Sequence, residues 1–290
     1  MKTLVIGAEG QLGTELRRVF ADVDLATADV TGEHIRLDVT DGDALERVIR
    51  DEVRPDLVIN TSAAHNVPKC EEDPQTAFAV NATAPQRMAR ICNEIGARFL
   101  HISTDYVFGD GGTRPYVESD PVAPLSTYGA SKAAGEFLIA AECPNHCIVR
   151  AAALYGPASC LAKGGRNFVG LMLHLARTKG EVRVVTDEIT TPTYTVALAE
   201  QIRVIAEKAE PGIYHASCNG ACSWYDFAEA VFALTGVEVK LMKATSADFP
   251  SSVKRPNYSV LENRRLKEQG LDVMPEWRDA LAAYVKTLDD

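Results

Sequence analysis

The chain has 290 residues, a formal net charge of −10, 46% apolar and 24% charged side chains. That length gives one large domain or one and a half with a full core, and no run of lysine and arginine exceeds two residues, which excludes a nucleic-acid partner because phosphate neutralisation needs a basic face. Gly7, Glu9 and Gly10 interrupt the first apolar run and no apolar segment approaches the ~18 residues of a membrane span, so a cytoplasmic protein with no membrane partner is expected.

Lys2–Ile6 is a short β-branched apolar run and reads as a buried strand. It runs into Gly7-Ala8-Glu9-Gly10-Gln11-Leu12-Gly13, followed by Leu12, Leu16, Val19 and Phe20 at helical spacing. Strand, glycine turn and helix are the setting of a dinucleotide fingerprint. Gly7 would permit the tight turn, Gly10 would let the backbone reach a pyrophosphate, and Gly13 would let helix pack on strand. The helix N-terminus then faces the anion. A plain strand–helix turn has the same glycines. Val23–Ala28 is a weaker strand ending at Asp29, whose carboxylate can accept from adenosine ribose hydroxyls and repel a 2′-phosphate, which leans toward NADH. Asp29 serves equally as a turn or cap residue. Ile35–Val39 follows as a strand, with Asp38 near the place where adenine would be held.

Asp41–Glu52 is a helix capped by Thr40 or Asp41, and Asp56–Asn60 is a buried strand. The small residues Thr61–Ala64 suit a backbone lying against a cofactor. Pro74–Ile95 reads as one long helix, and Arg98–Ile102 as the next strand. Strand and helix thus alternate as in a doubly wound parallel α/β sheet. Ser103-Thr104-Asp105 lies at that strand's C-terminal end, where such sheets bind ligands. Hydroxyls there can hold a carbonyl oxygen; a simple Ser/Thr turn is the other reading.

Gly109–Pro124 is loop, and Ser126–Glu136 opens a helix running to about Ala141. Tyr128 and Lys132, four apart, stack one turn apart on one face. A phenol has a pKa near ~10, and a fixed ammonium beside it would lower that value, giving a proton relay with Tyr128 as acid and Lys132 as tuner. Cys147–Ala151 is a strand, Gly156–Arg166 a loop and Asn167–Thr178 a helix. Glu181–Val185, Gly212–Ala216 and Val237–Leu241 are expected strands. Thr195–Ala209, Ser223–Leu234 and Pro275–Leu288 are expected helices. Residues 1–151 read as a dinucleotide-binding domain and 152–290 as mainly a smaller substrate lobe, interleaved with the end of the first sheet. Among seven cysteines, Cys143 and Cys147 with His146 could join Cys218 and Cys222 around zinc, but the spacing matches no specific signature and no metal is expected.

These residues resemble the extended short-chain dehydrogenase/reductases, and within them the dTDP-4-dehydrorhamnose reductase family, along almost the whole chain. The matching stretches are G-A-E-G-Q-L-G-T-E-L at 7–16, R-P-D-L-V-I-N at 54–60, S-T-D-Y-V-F at 103–108 and Y-G-A-S-K-A-A-G-E at 128–136. N-F at 167–168, D-E-I-T-T-P-T at 187–193, S-W-Y-D-F-A at 223–228 and R-P-N-Y-S-V-L at 255–261 match as well. The resemblance implies hydride transfer from NADH or NADPH to C4 of a nucleotide-linked 4-keto-6-deoxy sugar. Tyr128 would protonate the oxygen, Lys132 would tune Tyr128 and hold the nicotinamide ribose, Thr104 would bind the carbonyl, and Asp105 would lie next to the sugar. Gly10, Gln11, Leu12, Asp29, Asp38, Val39, Ala63, Ala64 and His65 would line the cofactor. Asn167, Phe168 and Arg255 would contact the nucleotide-sugar, Arg255 as the diphosphate cation. One departure is Ala153, at the end of Arg150-Ala151-Ala152-Ala153, where the family carries a tryptophan against the sugar. A related epimerase, a non-catalytic dinucleotide-binding subunit and a homodimer stay open.

Overall fold

A computed structural model describes residues 1–159, 164–249, 251 and 253–288. The chain opens with β1 (Lys2–Ile6), α1 (Gln11–Val19), β2 (Asp24–Asp29) and β3 (Ile35–Arg36). The expected strand to Val39 stops at Arg36, because Asp38 turns the chain by accepting from Thr40 N and Oγ1 at 2.9 and 2.7 Å. Next comes α2 (Gly42–Glu46), capped by Asp41 and prolonged by π-helical turns at Arg47–Val53, and then β4 (Leu57–Asn60). Two short helices follow, α3 (Val67–Glu72) and α4 (Pro74–Phe78). The second continues through π-helical Ala79–Thr83 into α5 (Ala84–Ile95), so the long helix expected over 74–95 is present with an internal bulge. The first was not foreseen, although Asn66 caps it and Pro68 sits in its first turn.

Then come β5 (Arg98–Thr104), α6 (Thr127–Glu142), β6 (His146–Ala151) and β7 (Leu154–Tyr155). The expected loop 156–166 lies partly outside the described residues. Past it are α7 (Phe168–Lys179), β8 (Glu181–Val185), β9 (Ile189–Thr190), β10 (Thr193–Tyr194) and α8 (Thr195–Lys208). The chain closes with β11 (Gly212–His215), β12 (Cys222–Ser223), α9 (Trp224–Thr235), β13 (Lys240–Ala244), α10 (Arg264–Glu268) and α11 (Trp277–Lys286). The strand expected at 237–241 is displaced: α9 ends in a left-handed cap at Gly236, and parallel pairing with β8 begins only where Lys240 meets Glu181.

Seven parallel strands form the main sheet in the order β11-β6-β5-β4-β1-β2-β3. Neighbouring residues of each strand point to opposite faces. Leu4, Val58, Phe99 and Ile148 pack with α2, α5 and α6, whereas Val5, Leu57, Leu100 and Val149 pack with α1, α8 and the later elements. The order reverses between β1 and β4, and ligands bind such sheets at the carboxyl ends beside that point.

Candidate functional site

The ends of β1, β4 and β5 converge on one cleft, lined by Gly10, Gln11, Leu12, Ala63, His65, Thr104, Asp105, Tyr128, Lys132, Ala153, Asn167 and Phe168 among others. At its β1 end the glycines make a cradle. Gly7 has φ +86°, and a Cβ there would lie 2.8 Å from Ser62 N. A Cβ on Gly13 would lie 2.0 Å from Gly7 O, so α1 can sit on the turn only without a side chain there. No side chain caps α1, which leaves its first-turn amides for an anion. Gln11 Oε1 is buried with no hydrogen-bond partner, as expected of a group reserved for a ligand. These features fit a dinucleotide pyrophosphate.

The other cofactor candidates are more divided. Asp29 Oδ2 accepts from Glu9 N at 3.0 Å and Oδ1 from Thr31 N at 3.2 Å, so the carboxylate stands at the cradle but also serves its turn. Asp38 builds the turn described above, with Val39 buried behind it. Asn81 holds both polar atoms of the Ala64 backbone at 2.9 Å and donates to Ser131 Oγ at 3.0 Å, fixing the segment between Ala63 and His65 against α6.

At the β5 end, Asp105 is fully enclosed. Thr104 Oγ1 donates to its Oδ1 at 3.0 Å and Ser259 Oγ to its Oδ2 at 2.6 Å, while burial raises its pKa to about 6. Tyr128 sits in the first turn of α6. Ser126 caps that turn by accepting from Gly129 N at 3.2 Å, and Glu71 of α3 accepts from Thr127 N and Oγ1, both at 2.7 Å. A Cβ on Gly129 would lie 2.2 Å from Tyr106 O, so glycine lets α6 press on the turn after β5. The Tyr128 ring meets Tyr106 edge-on at 5.9 Å. Burial pushes the Tyr128 phenol up, and hydrogen bonding with Thr104 pulls it down.

Lys132 packs against β5. Its Nζ is 2.8 Å from His101 Nε2 and donates to Ile102 O at 2.7 Å, and burial brings its pKa down to about 7. Burial is the main influence on the phenol. His101 and Asn60 were not among the expected site residues: they lie on separate strands, and only the β4–β5 register makes them neighbours.

On the far wall, Ala153 holds φ +45°, a left-handed backbone uncommon outside glycine, and its carbonyl accepts from Thr193 N at 3.2 Å. The Asn167 amide is turned inward. Its Oδ1 caps α7 at Gly170 N (2.9 Å), and its Nδ2 donates to Gly156 O at 2.8 Å and Tyr284 Oη at 3.1 Å. Phe168 packs on Trp224 at 4.6 Å. Burial raises the pKa of both Tyr106 and Glu188, and Arg255, beside Pro256 of the cleft wall, lies close enough to offset part of each rise. Glu188, Trp224 and Ser259 had no role in the sequence reading, although all three lie in its matching stretches.

Among the described residues no group of three or more His, Cys, Asp or Glu could hold a metal ion. Cys143 packs in one core, while Cys147, Cys218 and Cys222 pack in the other. No helix among them is long and apolar enough to cross a membrane.

Residues 1–289 match the family model described as RmlD substrate binding domain. The chain is 39% identical to the spore coat polysaccharide biosynthesis protein SpsK of Bacillus subtilis, over 98% of this chain and 97% of that protein. A dTDP-4-dehydrorhamnose reductase structure from Clostridium acetobutylicum superposes with a TM-score of 0.94 at 39% identity, covering 100% of both chains. Another, from Bacillus anthracis in complex with NADP, gives a TM-score of 0.92 at 32% identity over 99% of this chain and 100% of that one.

Proposed function

The chain belongs to the RmlD substrate-binding-domain family, and from that premise we propose an NAD(P)H-dependent reductase that acts on a nucleotide-linked 4-keto-6-deoxy sugar of the dTDP-4-dehydrorhamnose kind. The observation that carries this reading is that Tyr128, Thr104 and Lys132 share a cleft with the glycine cradle. The dinucleotide, when bound, supplies the hydride.

The protein supplies position and a proton. The cradle of Gly7, Gly10 and Gly13 and the amides of α1 hold the pyrophosphate. Thr104 hydrogen-bonds the substrate carbonyl oxygen, and Tyr128 gives that oxygen its phenolic proton as C4 is reduced. Lys132 holds the nicotinamide ribose. Such a general acid contributes about 10²–10⁴ in rate. Arg255 faces the diphosphate, where a guanidinium suits phosphate geometry. Ala153 offers the sugar no ring at its own position, and Phe168 and Trp224 are the aromatic groups left on that side of the cleft. A homodimer in the cytoplasm is part of the same proposal.

The test is NADH and NADPH oxidation with a panel of 4-keto nucleotide sugars, dTDP-4-dehydrorhamnose included. Turnover with at least one supports the reading. Tight dinucleotide binding with no turnover on any would instead make the chain a non-catalytic dinucleotide-binding subunit.

A further inference from the structure

The proposed mechanism makes no use of a charged cluster at the edge of the glycine cradle. Glu9 belongs to the cradle, and its backbone N–H donates to Asp29 Oδ2 at 3.0 Å. Its side chain runs on to the turn after β2. There Arg17 Nη1, from the second turn of α1, donates to Glu9 Oε1 at 3.2 Å, and His34 Nε2 meets the same oxygen at 2.5 Å. A carboxylate oxygen only accepts, so Nε2 carries a proton. His34 Nδ1 lies 2.8 Å from Thr27 Oγ1, which sets the plane of the imidazole. Gly32 closes the remaining side: its φ is +78°, and a Cβ there would lie 2.9 Å from Glu9 Oε1. A guanidinium, an imidazole and a turn without room for a side chain thus hold one carboxylate in one place.

Asp29 gives that place its meaning. An acid at the end of the second strand of such a sheet binds the adenosine ribose, whose 2′-oxygen carries the extra phosphate of NADPH. Asp29 Oδ1 accepts from Thr31 N at 3.2 Å and from Thr31 Oγ1 at 3.3 Å, so the chain from Asp29 to Gly32 curls past its carboxylate toward that of Glu9. A 2′-phosphate beside Asp29 would therefore meet a second carboxylate, and the donors suited to hold it would already be taken. We propose that Glu9 is a specificity-determining residue: its carboxylate keeps Arg17 and His34 from the 2′-phosphate of NADPH, and so shifts the binding preference toward NADH. The inference rests on the dinucleotide reading of the cradle and stands apart from the identity of the sugar.

The surroundings agree. Arg18, the next residue of α1, turns to Glu15 and Glu200, so of the two arginines it is Arg17 that points at Glu9. The His34 side chain is 7% exposed, whereas those of Glu9 and Arg17 are 35% and 40% exposed: the imidazole is a fixed backing, and the ion pair in front of it reaches water. Asp29 and Glu9 also differ in what their loss would do. Without the Asp29 carboxylate the guanidinium stays on Glu9; without the Glu9 carboxylate both donors are released beside the ribose. Selectivity of this kind is built by setting repulsion against the wrong ligand, here one with an added phosphate.

The test needs no turnover. Binding of NADH and of NADPH is followed by dihydronicotinamide fluorescence with no sugar present, and the readout is the Kd for NADPH divided by the Kd for NADH, in which any general loosening of the cradle cancels. In Glu9→Ala this ratio should fall by roughly tenfold. In about 1 M sodium chloride, where the screening length is ~3 Å, the fall should shrink. Arg17→Ala added to Glu9→Ala should return much of the ratio toward its wild-type value, because the released guanidinium is then gone. An unchanged ratio in Glu9→Ala overturns the proposal, and a double variant that keeps the whole gain refutes the part of Arg17. Should Glu9→Ala not fold, Glu9→Gln decides in its place, since it keeps the shape and removes the charge. Failure of the wild-type protein to bind either dinucleotide would remove the cradle reading and this inference with it. The expected ratios without turnover on any sugar would remove the reductase alone.

Discussion

Tyr128→Phe removes the hydroxyl that the proposed mechanism uses as its proton donor, while the ring keeps its edge contact with Tyr106. We expect kcat to fall by about 10²–10⁴ with dinucleotide affinity unchanged, read by single-turnover kinetics and by titration of cofactor fluorescence. Gly13→Ala drives a methyl toward Gly7 O, 2.0 Å from its ideal position, so α1 must lift and dinucleotide affinity should drop by tenfold or more, an estimate on the order of 1.4 kcal/mol. Asp29→Ser removes the carboxylate at the cradle; the ratio of kcat/KM for NADH over NADPH should fall, because an acid there disfavours a 2′-phosphate. Tyr128, Lys132, Thr104 and Gly10, which share one cleft, were legible in the sequence because they sit in short motifs of recognisable spacing or at a strand's carboxyl end. His101 and Asn60 were not. They face each other because β4 and β5 pair Asn60 with His101, a register that no local pattern announces.

At the scale of elements, the position of Tyr128 depends on how the start of α6 is tethered. Glu71 reaches across from α3 to Thr127, and its two 2.7 Å bonds hold that first turn. Glu71→Ala should cost about 1–3 kcal/mol of stability and lower kcat more than it raises KM, since the proposed acid and not the binding surface is displaced. Thermal melts and steady-state kinetics on the same variant check both parts. The longer helices were legible because apolar residues recur at helical spacing in α1, α7 and α9. The π-helical turns at Ala79–Thr83 were not, because a one-residue bulge leaves the apolar rhythm on either side intact. Yet that bulge carries Asn81 to Ala64 and Ser131. The two-residue strands were equally hidden, since their partners come from distant sequence.

For the whole molecule, acid should be more damaging than composition suggests. His215 is buried, accepts from Arg150 Nη1 at 3.4 Å, donates from Nδ1 to the carbonyls of Tyr116 and Glu262, and has its pKa pushed down to about 3 by burial. Its unfolded value is near ~6.5, so the unfolded chain takes the proton first. Stability is full above that value and is lost as pH falls toward 3. Urea midpoints should reveal a loss of roughly 3 kcal/mol by about pH 4.5, and His215→Gln should flatten that slope. The alternation of strand and helix made the doubly wound sheet legible over the first 151 residues. What it did not single out is which later strand joins the main sheet: it is β11, beside β6.

That late strand bears on how the chain is made. A ribosome delivers β6 well before β11, and until then His146–Ala151 has an open row of amides and carbonyls along one side. A nascent chain halted before Gly212 can therefore stick to its neighbours, and a fragment trimmed at the apparent halfway point should collect in inclusion bodies while the full chain stays in solution.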